Sequence, residues 1–473
     1  MSSKFDLIKR MAADKIVEKG LKYIRQDPRE NFPRLLSLAK KLAQMETYQS
    51  GLEKVEQMVE EEDSVILDYV DRAAELDQKY QENLAKTFFV NSTLLGTSYR
   101  EEKSEELGAS VPYTILLDPT SACNLDCDGC WAGKYEDSEK LSFSQIDRII
   151  TEAKELGIYF FVLSGGEPTV YPRLFDIFEA HPDCAFMMYT NGTLIDEEMA
   201  DRMLEVGNVS PTLSLEGFAP QTDGRRGKGT FGKIERAMEL LKERGILFGT
   251  SFTVTRENCH LLTKDTRLIE ALVEKGAFYT WLFHYIPIGS NPDPELMITP
   301  EQREELVETI PEVRSNYPLF IVDFWNDGYF TNGCIAGGQR YFHINASGDV
   351  EPCAFVHFAV ENIEGKSLTE ILQNPLFKEY QDRIPFNDNL YRPCPIIDNP
   401  EELKDMVDKT GAEPTHEGAD NIFEQSVYNK LKKKAEKWGE ISRPHHYKRM
   451  CQSKIKSSEI EQEIEEETVS TGG

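Results

Sequence analysis

The sequence lacks any long uncharged apolar stretch and has little positive charge. Among its 473 residues, no segment approaches the roughly 18 apolar residues that a membrane-spanning helix needs. Lys and Arg number 53 against 82 Asp and Glu, which gives a formal net charge of −29. Binding to nucleic acid requires a basic face, so this charge balance disfavours a nucleic-acid partner. With no signal peptide recognised at its start, we expect a cytoplasmic protein without a transmembrane segment.

Cysteine is also scarce, but it is unevenly placed. Three of the nine cysteines, Cys123, Cys127 and Cys130, lie close together in the segment SACNLDCDGCW. In a reducing compartment, clustered cysteines bind metal more often than they form disulfides. Cys184 and Cys259 stand alone, and we predict that they are small buried apolar residues.

Changes in pattern divide the chain into five predicted regions. These are a helical N-terminal region (1–108), a region of alternating strands and helices (109–330), a loop-rich region (331–400), a C-terminal helical region (401–455) and an acidic tail predicted to be disordered (456–473).

The second region determines the predicted fold class. Six short apolar, β-rich runs alternate with amphipathic helical stretches, and they cover residues 113–118, 159–164, 185–190, 211–216, 248–254 and 280–286. Near-continuous apolar strands separated by helices indicate a parallel sheet. Six units are fewer than the eight of a full barrel, so we predict an α/β fold with a partial (β/α)6 barrel.

The spacing Cys123-x3-Cys127-x2-Cys130 follows the first predicted strand directly. A structural zinc site needs four ligands, and no fourth Cys or His lies nearby. The ferredoxin spacing also differs from this one. The remaining interpretation is an iron–sulfur cluster with one iron left open. The second strand leads into SGGEP, where Gly165 and Gly166 allow close approach of a ligand to the backbone.

The CxxxCxxC and GGEP motifs together closely resemble those of the radical S-adenosylmethionine (SAM) superfamily, over about residues 111–400. The resemblance implies that the three catalytic thiolates hold a 4Fe–4S cluster and that SAM chelates the fourth iron. It also implies reductive cleavage of SAM to a 5′-deoxyadenosyl radical, which abstracts hydrogen from a substrate. The residues that it assigns to SAM binding are Gly165, Gly166, Glu167, Asn191, Ser214, Glu216 and Arg226, the last preferred over its neighbour Arg225.

A second cysteine set lies in the loop-rich region. The segment from Cys334 to Cys353, followed by Cys394, resembles the SPASM and shorter twitch extensions of radical SAM enzymes. The resemblance implies one auxiliary 4Fe–4S cluster held by these three cysteines. Three alternatives stay open for its fourth ligand: Asp398, Cys451 or an open position. Zinc and no metal are the rival interpretations of the set.

These patterns predict a radical SAM enzyme that acts on a peptide or a small metabolite. A lipid or isoprenoid substrate is the alternative, and a non-catalytic iron–sulfur or zinc scaffold is a further one. A flavodoxin or ferredoxin is the reductant that the resemblance implies. His284, on the sixth predicted strand, faces either the site or the barrel wall.

Overall fold

A computed structural model describes residues 4–42, 46–60, 64–132, 139–289 and 292–470, with side chains over 13–40, 51–60, 64–132, 139–289 and 292–451. The described part of the N-terminal region is built of helices. They are α1 (Lys4–Ile24), α2 (Pro28–Leu42), α3 (Glu46–Val59), α4 (Val65–Ala74), α5 (Gln78–Leu84), a π-helix (Ala85–Leu95) and α6 (Gly96–Leu107).

Strands and helices then alternate along the chain. The elements are β1 (Thr114–Leu117), α7 (Phe143–Glu155), β2 (Phe160–Leu163), α8 (Leu174–Ala180), β3 (Ala185–Thr190), α9 (Glu197–Val206), β4 (Val209–Leu215), α10 (Ala219–Arg226), α11 (Thr230–Glu243), β5 (Gly249–Val254), α12 (His260–Thr263), α13 (Arg267–Lys275), β6 (Tyr279–His284), α14 (Pro300–Asn316) and β7 (Phe320–Asp323). Side-chain caps start several of the helices. Ser142 forms a capping box with Gln145 at α7, and Thr299 forms one with Gln302 at α14.

The C-terminal part extends the same sheet and then turns helical. It contains α15 (Gly328–Thr331), β8 (Tyr341–Ile344), β9 (Asp349–Glu351), β10 (Phe358–Ala359), β11 (Glu361–Asn362), α16 (Leu368–Leu372), α17 (Pro375–Arg383), α18 (Pro400–Thr410), β12 (Glu413–Pro414) and α19 (Gln425–Ser470).

The main sheet has the order β11-β9-β8-β1-β2-β3-β4-β5-β6-β7. Strands β1 to β7 are parallel neighbours, and β8 pairs in parallel with β1 on the other side. Because β7 and β11 lie at opposite edges, the sheet is an open, partial barrel, which confirms the predicted fold class. All of these parallel strands direct their C-terminal ends, and the loops that follow them, to one rim.

Two details differ from the sequence-based prediction. The barrel has a seventh parallel strand, β7, whose four residues are too few for a clear periodic signal and lead directly into a polar turn. The tail predicted to be disordered from residue 456 instead continues α19 as far as Ser470. That tail is rich in Glu, which is a good helix former. Residues 471–473 lie outside the described residues.

The N-terminal helices pack across the opposite rim, where the barrel strands begin. The Tyr80 hydroxyl donates to Val209 O at 2.8 Å, and Asn91 Nδ2 donates to Asp183 O at 2.9 Å. Arg72 donates to Ala277 O at 2.6 Å and also to the Pro318 carbonyl. The N-terminal region is therefore the floor of the barrel. Among the described residues, no helix is long and apolar enough to cross a membrane.

Candidate active site

The three clustered cysteines lie in the loop that follows β1. Their side chains line one end of a large cavity of about 1290 Å³ inside the barrel. Burial raises the pKa of the Cys123 thiol to about 11. Burial also raises the pKa of Cys127, and the charge of Arg226 opposes that increase. Thiols in such a place become thiolates when a metal supplies positive charge, so this donor set fits a cluster.

The Gly-Gly-Glu turn after β2 packs directly on the cysteine loop. Gly166 N donates to Thr120 O at 2.9 Å, and Glu167 N donates to Ala122 O at 2.8 Å. A Cβ atom on Gly166 would lie 2.2 Å from Ala122 O, a distance that real contacts do not reach. At Gly165 the backbone has φ +110° and a Cβ would lie 2.5 Å from Thr120 O. Only glycine fits at these two positions, and both line the cavity.

The Glu167 side chain braces this end of the barrel from inside. Its Oε1 atom accepts hydrogen bonds from Thr169 Oγ1 at 2.7 Å and Thr190 Oγ1 at 2.6 Å. Its Oε2 atom accepts from Asn191 N at 2.6 Å. Asn191 Nδ2 in turn donates to Asn124 Oδ1 at 2.8 Å within the cysteine loop. The buried carboxylate thus ties β2 to β3, and it leaves the backbone of the glycines as the group that faces a ligand.

Glu216, just after β4, binds both adjacent arginines. Its Oε1 atom lies 2.5 Å from Arg225 Nη1 and 2.7 Å from Arg226 Nη2. Arg225 also donates to Asp128 O at 2.9 Å and Gly129 O at 3.0 Å, so it clamps the cysteine loop to the end of β4. In the sequence-based prediction, Arg225 is only the less preferred alternative to Arg226 for SAM binding. That prediction does not include this role in holding the cysteine loop.

The structure brings the predicted SAM-site residues together at one end of the cavity. Every one of them lines it except Glu216, which lies behind the two arginines. Ser214 lies near this end, where its hydroxyl is 2.9 Å from that of Ser251. The Oε2 atom of Glu216 is buried and has no hydrogen-bond partner among the described residues. Glycine backbone and two arginines beside three thiols fit a polar ligand such as SAM.

The second cysteine set surrounds a small cavity of about 170 Å³ between the barrel and the C-terminal part. Cys334, Cys353 and Cys394 all line it. Burial raises the pKa of Cys353 to about 11 and that of Cys394 to about 12. Tyr380 also lines this cavity, and its buried hydroxyl has no hydrogen-bond partner among the described residues. Three thiols, two of them in buried residues, beside an unsatisfied hydroxyl fit a second cluster.

Two of the alternatives for the fourth ligand of this second set are Asp398 and Cys451. Asp398 is engaged in an ion pair, and Cys451 lies away from the small cavity. The Asp398 carboxylate is fully buried and lies 2.5 Å from Arg303 Nη1. It also accepts from Cys394 N at 3.1 Å, so it shapes the cysteine loop. Cys451 is exposed on α19 and does not line the cavity of the three cysteines. The sequence contains no local signal for Arg303, which comes from distant α14.

Iron content tests the second set. We expect about eight irons per anaerobically reconstituted chain, and about four in a Cys353→Ala variant, because the three thiols hold one 4Fe–4S cluster. The exposed residue Cys451 provides the control, since a Cys451→Ala variant should keep about eight. Four irons in the unmodified chain would refute the second cluster.

Buried charges join the barrel to the auxiliary part. His343 Nε2 lies 2.9 Å from Asp118 Oδ2, and His343 Nδ1 lies 2.7 Å from Glu351 Oε2. Burial alone lowers the pKa of His343, but these two carboxylates raise it to about 10. Nearby, the rings of Trp131 and His357 stack with centroids 6.4 Å apart. These contacts link the end of β1, which leads into the first cysteine set, to β9, which leads into Cys353.

His284 resolves the alternatives that the sequence leaves open. It lines the large cavity, and its Nε2 atom lies 3.1 Å from Asp323 Oδ1 at the end of β7. Its ring also stacks on that of Trp325, with centroids 5.4 Å apart. His284 therefore lies on the side of the barrel that faces the cavity containing the three cysteines.

Comparison with known proteins matches two parts of the chain to family models. The Radical SAM superfamily matches residues 117–258, and SPASM, an iron–sulfur cluster-binding domain, matches residues 334–396. Mycofactocin maturase MftC of Mycobacterium ulcerans is 35% identical over 305 residues, which cover 59% of this chain and 79% of that protein. PqqA peptide cyclase of Granulibacter bethesdensis is 28% identical over 315 residues, 61% of this chain and 80% of that one.

An AdoMet-dependent heme synthase of Methanosarcina barkeri is 24% identical over 304 residues, 58% of this chain and 86% of that protein. Among solved structures, Streptococcus suis SuiB bound to S-adenosylmethionine shares the fold. The TM-score is 0.52 and the identity is 17%, with coverage of 64% of this chain and 76% of that one.

The fold and the site define a partial-barrel enzyme that works through iron–sulfur clusters. The chain belongs to the radical SAM superfamily and carries a SPASM domain. Its cofactors are SAM, the 4Fe–4S cluster of the radical SAM domain and an auxiliary iron–sulfur cluster. The family assignment supports an enzyme over the non-catalytic scaffold.

Proposed function

We propose that this chain uses Cys123, Cys127 and Cys130 to hold the cluster that cleaves SAM, and that the reaction abstracts hydrogen from a carbon of a substrate in the barrel cavity. The observation that carries this proposal is the convergence of three thiols, the Gly-Gly-Glu backbone and two arginines at one end of one cavity. When bound, the reduced cluster supplies the electron that cleaves the sulfonium of SAM to give the 5′-deoxyadenosyl radical.

The protein groups have separate roles in this proposal. The backbone of Gly165 and Gly166 receives the methionyl amino group. Arg226 donates to Glu216 through Nε and Nη2, which leaves its Nη1 group to bind the methionyl carboxylate. Arg225 positions the cysteine loop, and the apolar cavity wall shields the radical from water.

Two classes of substrate are candidates: a peptide or small metabolite, and a lipid. The names of the relatives, a maturase, a peptide cyclase and a heme synthase, support a peptide or a small metabolite. The aromatic and aliphatic lining of the cavity favours the second candidate, a lipid. The reductant in this proposal is a flavodoxin or a ferredoxin, and the location is the cytoplasm.

Formation of 5′-deoxyadenosine tests the proposal. After anaerobic reconstitution, reduction with dithionite and addition of SAM, we expect the chain to form 5′-deoxyadenosine. A Cys127→Ala variant should fall to the background rate, because two thiolates do not hold the SAM-binding cluster. The exposed Cys451→Ala variant is the control and should keep the rate of the unmodified protein. Equal rates in the Cys127→Ala variant and the unmodified protein would contradict the proposal.

A further inference from the structure

The cavity that contains the SAM site runs the full height of the barrel. Besides the cysteines, its lining includes Phe160, Ala185 and Phe320, the first residues of β2, β3 and β7. Because a strand rises about 3.3 Å per residue, the stretch from Phe160 to Ser164 alone spans on the order of 13 Å. The volume of about 1290 Å³ is also larger than that of most small-molecule sites. The cavity therefore has room for an elongated molecule beside the cofactor.

The end of this cavity away from the cysteines is lined by N-terminal helices and is aromatic. Tyr69, Phe88 and Phe89 line it, and the last two lie in the π-helix Ala85–Leu95. Phe88 packs edge-on against Phe160, with ring centroids 5.2 Å apart. π-helical segments are rare and frequently occur at functional sites. The N-terminal region thus contributes wall to the cavity as well as support to the barrel.

The section of the cavity around Trp281 is mostly apolar, and the buried oxygens without a hydrogen-bond partner among the described lining residues include Thr114 Oγ1 and Gln339 Oε1. The rings of Trp281 and Phe283 stack with centroids 6.0 Å apart and line it. The hydroxyl of Tyr279 is 2.9 Å from that of Ser210, so these two groups satisfy each other. A peptide in this section would bury backbone groups without partners, which is costly, whereas a hydrocarbon chain needs none.

Apolar side chains also surround the cavity where it meets solvent. Phe89, Phe320 and Phe330 line it and are 60%, 62% and 69% exposed. Arg340, which precedes β8, is exposed and lines the cavity, and its guanidinium makes no ion pair with a described residue. Glu101 and Glu105 of α6 also line the cavity, so an anionic head group is placed at Arg340 and not beside α6. An aromatic rim with this cation beside it matches a molecule that has an apolar chain and an anionic head.

We propose that the substrate is a long-chain lipid with an anionic head group. Its hydrocarbon chain occupies the cavity from the aromatic rim (Phe89, Phe320 and Phe330) toward the cysteines, and its head group lies at Arg340. This assignment rests on the proposed function and names the substrate class of the same site. In the reaction, the 5′-deoxyadenosyl radical takes a hydrogen atom from the hydrocarbon chain. One C–H bond of the lipid breaks homolytically, the new C–H bond of 5′-deoxyadenosine forms, and the unpaired electron remains on the lipid carbon.

Binding of a fluorescent fatty acid tests this assignment independently of catalysis. We expect cis-parinaric acid to bind the purified chain saturably. Phe320→Glu and Phe89→Glu variants should each bind at least tenfold more weakly, because both place a carboxylate on the apolar rim. Leu38→Glu, which alters a 51% exposed leucine on α2 away from the cavity, should bind like the unmodified protein. Absence of saturable binding, or equal affinity in all three variants, would overturn the lipid assignment.

Isotope transfer shows whether the hydrocarbon chain comes from a free fatty acid or from a phospholipid. It also separates failure of the lipid assignment from failure of the proposed function. Perdeuterated palmitate and phosphatidylglycerol vesicles with perdeuterated palmitoyl chains are supplied in separate reactions with SAM and dithionite. Deuterium in 5′-deoxyadenosine from either one supports the assignment and shows whether the free acid or the phospholipid reacts. Unlabelled 5′-deoxyadenosine in both reactions overturns the lipid substrate while the proposed function stands. If no 5′-deoxyadenosine forms at all, the proposed function fails, and with it the lipid assignment.

Discussion

A Gly166→Ala variant is expected to lose the SAM-binding cluster and all formation of 5′-deoxyadenosine. The new Cβ atom would lie 2.2 Å from Ala122 O and 2.4 Å from Ser121 O, both in the backbone of the cysteine loop. Neither atom is a flexible side-chain end, so the loop itself has to move. Iron content after reconstitution should fall from about eight to about four per chain.

The matched control is Gly232→Ala, in the first turn of α11. An added Cβ there meets no atom within 4 Å, and alanine favours a helix over glycine by about 0.5–1 kcal/mol. This variant should therefore keep its iron and its rate, and its melting temperature should not fall. If Gly166→Ala kept both iron and rate, close packing of the Gly-Gly-Glu turn on the cysteine loop would be refuted.

An Asp398→Asn variant is expected to be strongly destabilised but to keep both clusters. Asp398 and Arg303 form a buried ion pair, and removing one partner of such a pair lowers the free energy of unfolding by about 3–5 kcal/mol. The asparagine carbonyl oxygen still accepts from Cys394 N, so the cysteine loop keeps its shape. The measurements are the urea midpoint of unfolding and the iron content at low temperature.

The exposed pair of Lys404 and Asp408 on α18 provides the comparison. An Asp408→Asn variant should lose only about 0.3–0.5 kcal/mol, as is typical for exposed pairs one helical turn apart. A fall to about four irons in Asp398→Asn, at a temperature where the chain stays folded, would show that Asp398 is a cluster ligand.

Local sequence pattern was sufficient for the parts of the site that are local in the chain. The spacing of Cys123, Cys127 and Cys130 and the Gly-Gly-Glu turn each lie within a few residues, so their chemistry is visible in the sequence. Apolar runs of six or seven residues also indicated the parallel strands correctly. The four residues of β7 were too short for this signal, although they complete the parallel set and contribute Asp323 beside His284.

Contacts between distant segments were not predictable in this way. The Glu216 carboxylate binds Arg225 and Arg226, a pairing that depends on how α10 folds back on β4, and contact of Glu216 with SAM stays a prediction. The partner of Asp398, Arg303, lies 95 residues away in sequence. The full height of the cavity likewise depends on N-terminal helices that pack under strands far along the chain.

The electron paramagnetic resonance spectrum of the reduced protein tests whether Cys123, Cys127 and Cys130 hold the cluster that binds SAM. One variant replaces Cys334, Cys353 and Cys394 with alanine, and the other replaces Cys123, Cys127 and Cys130. SAM should change the cluster signal of the first variant, which keeps the proposed SAM-binding cluster. SAM should leave the signal of the second variant unchanged. An unchanged signal in the first variant, or a change in the second, would contradict the assignment of the SAM site to Cys123, Cys127 and Cys130.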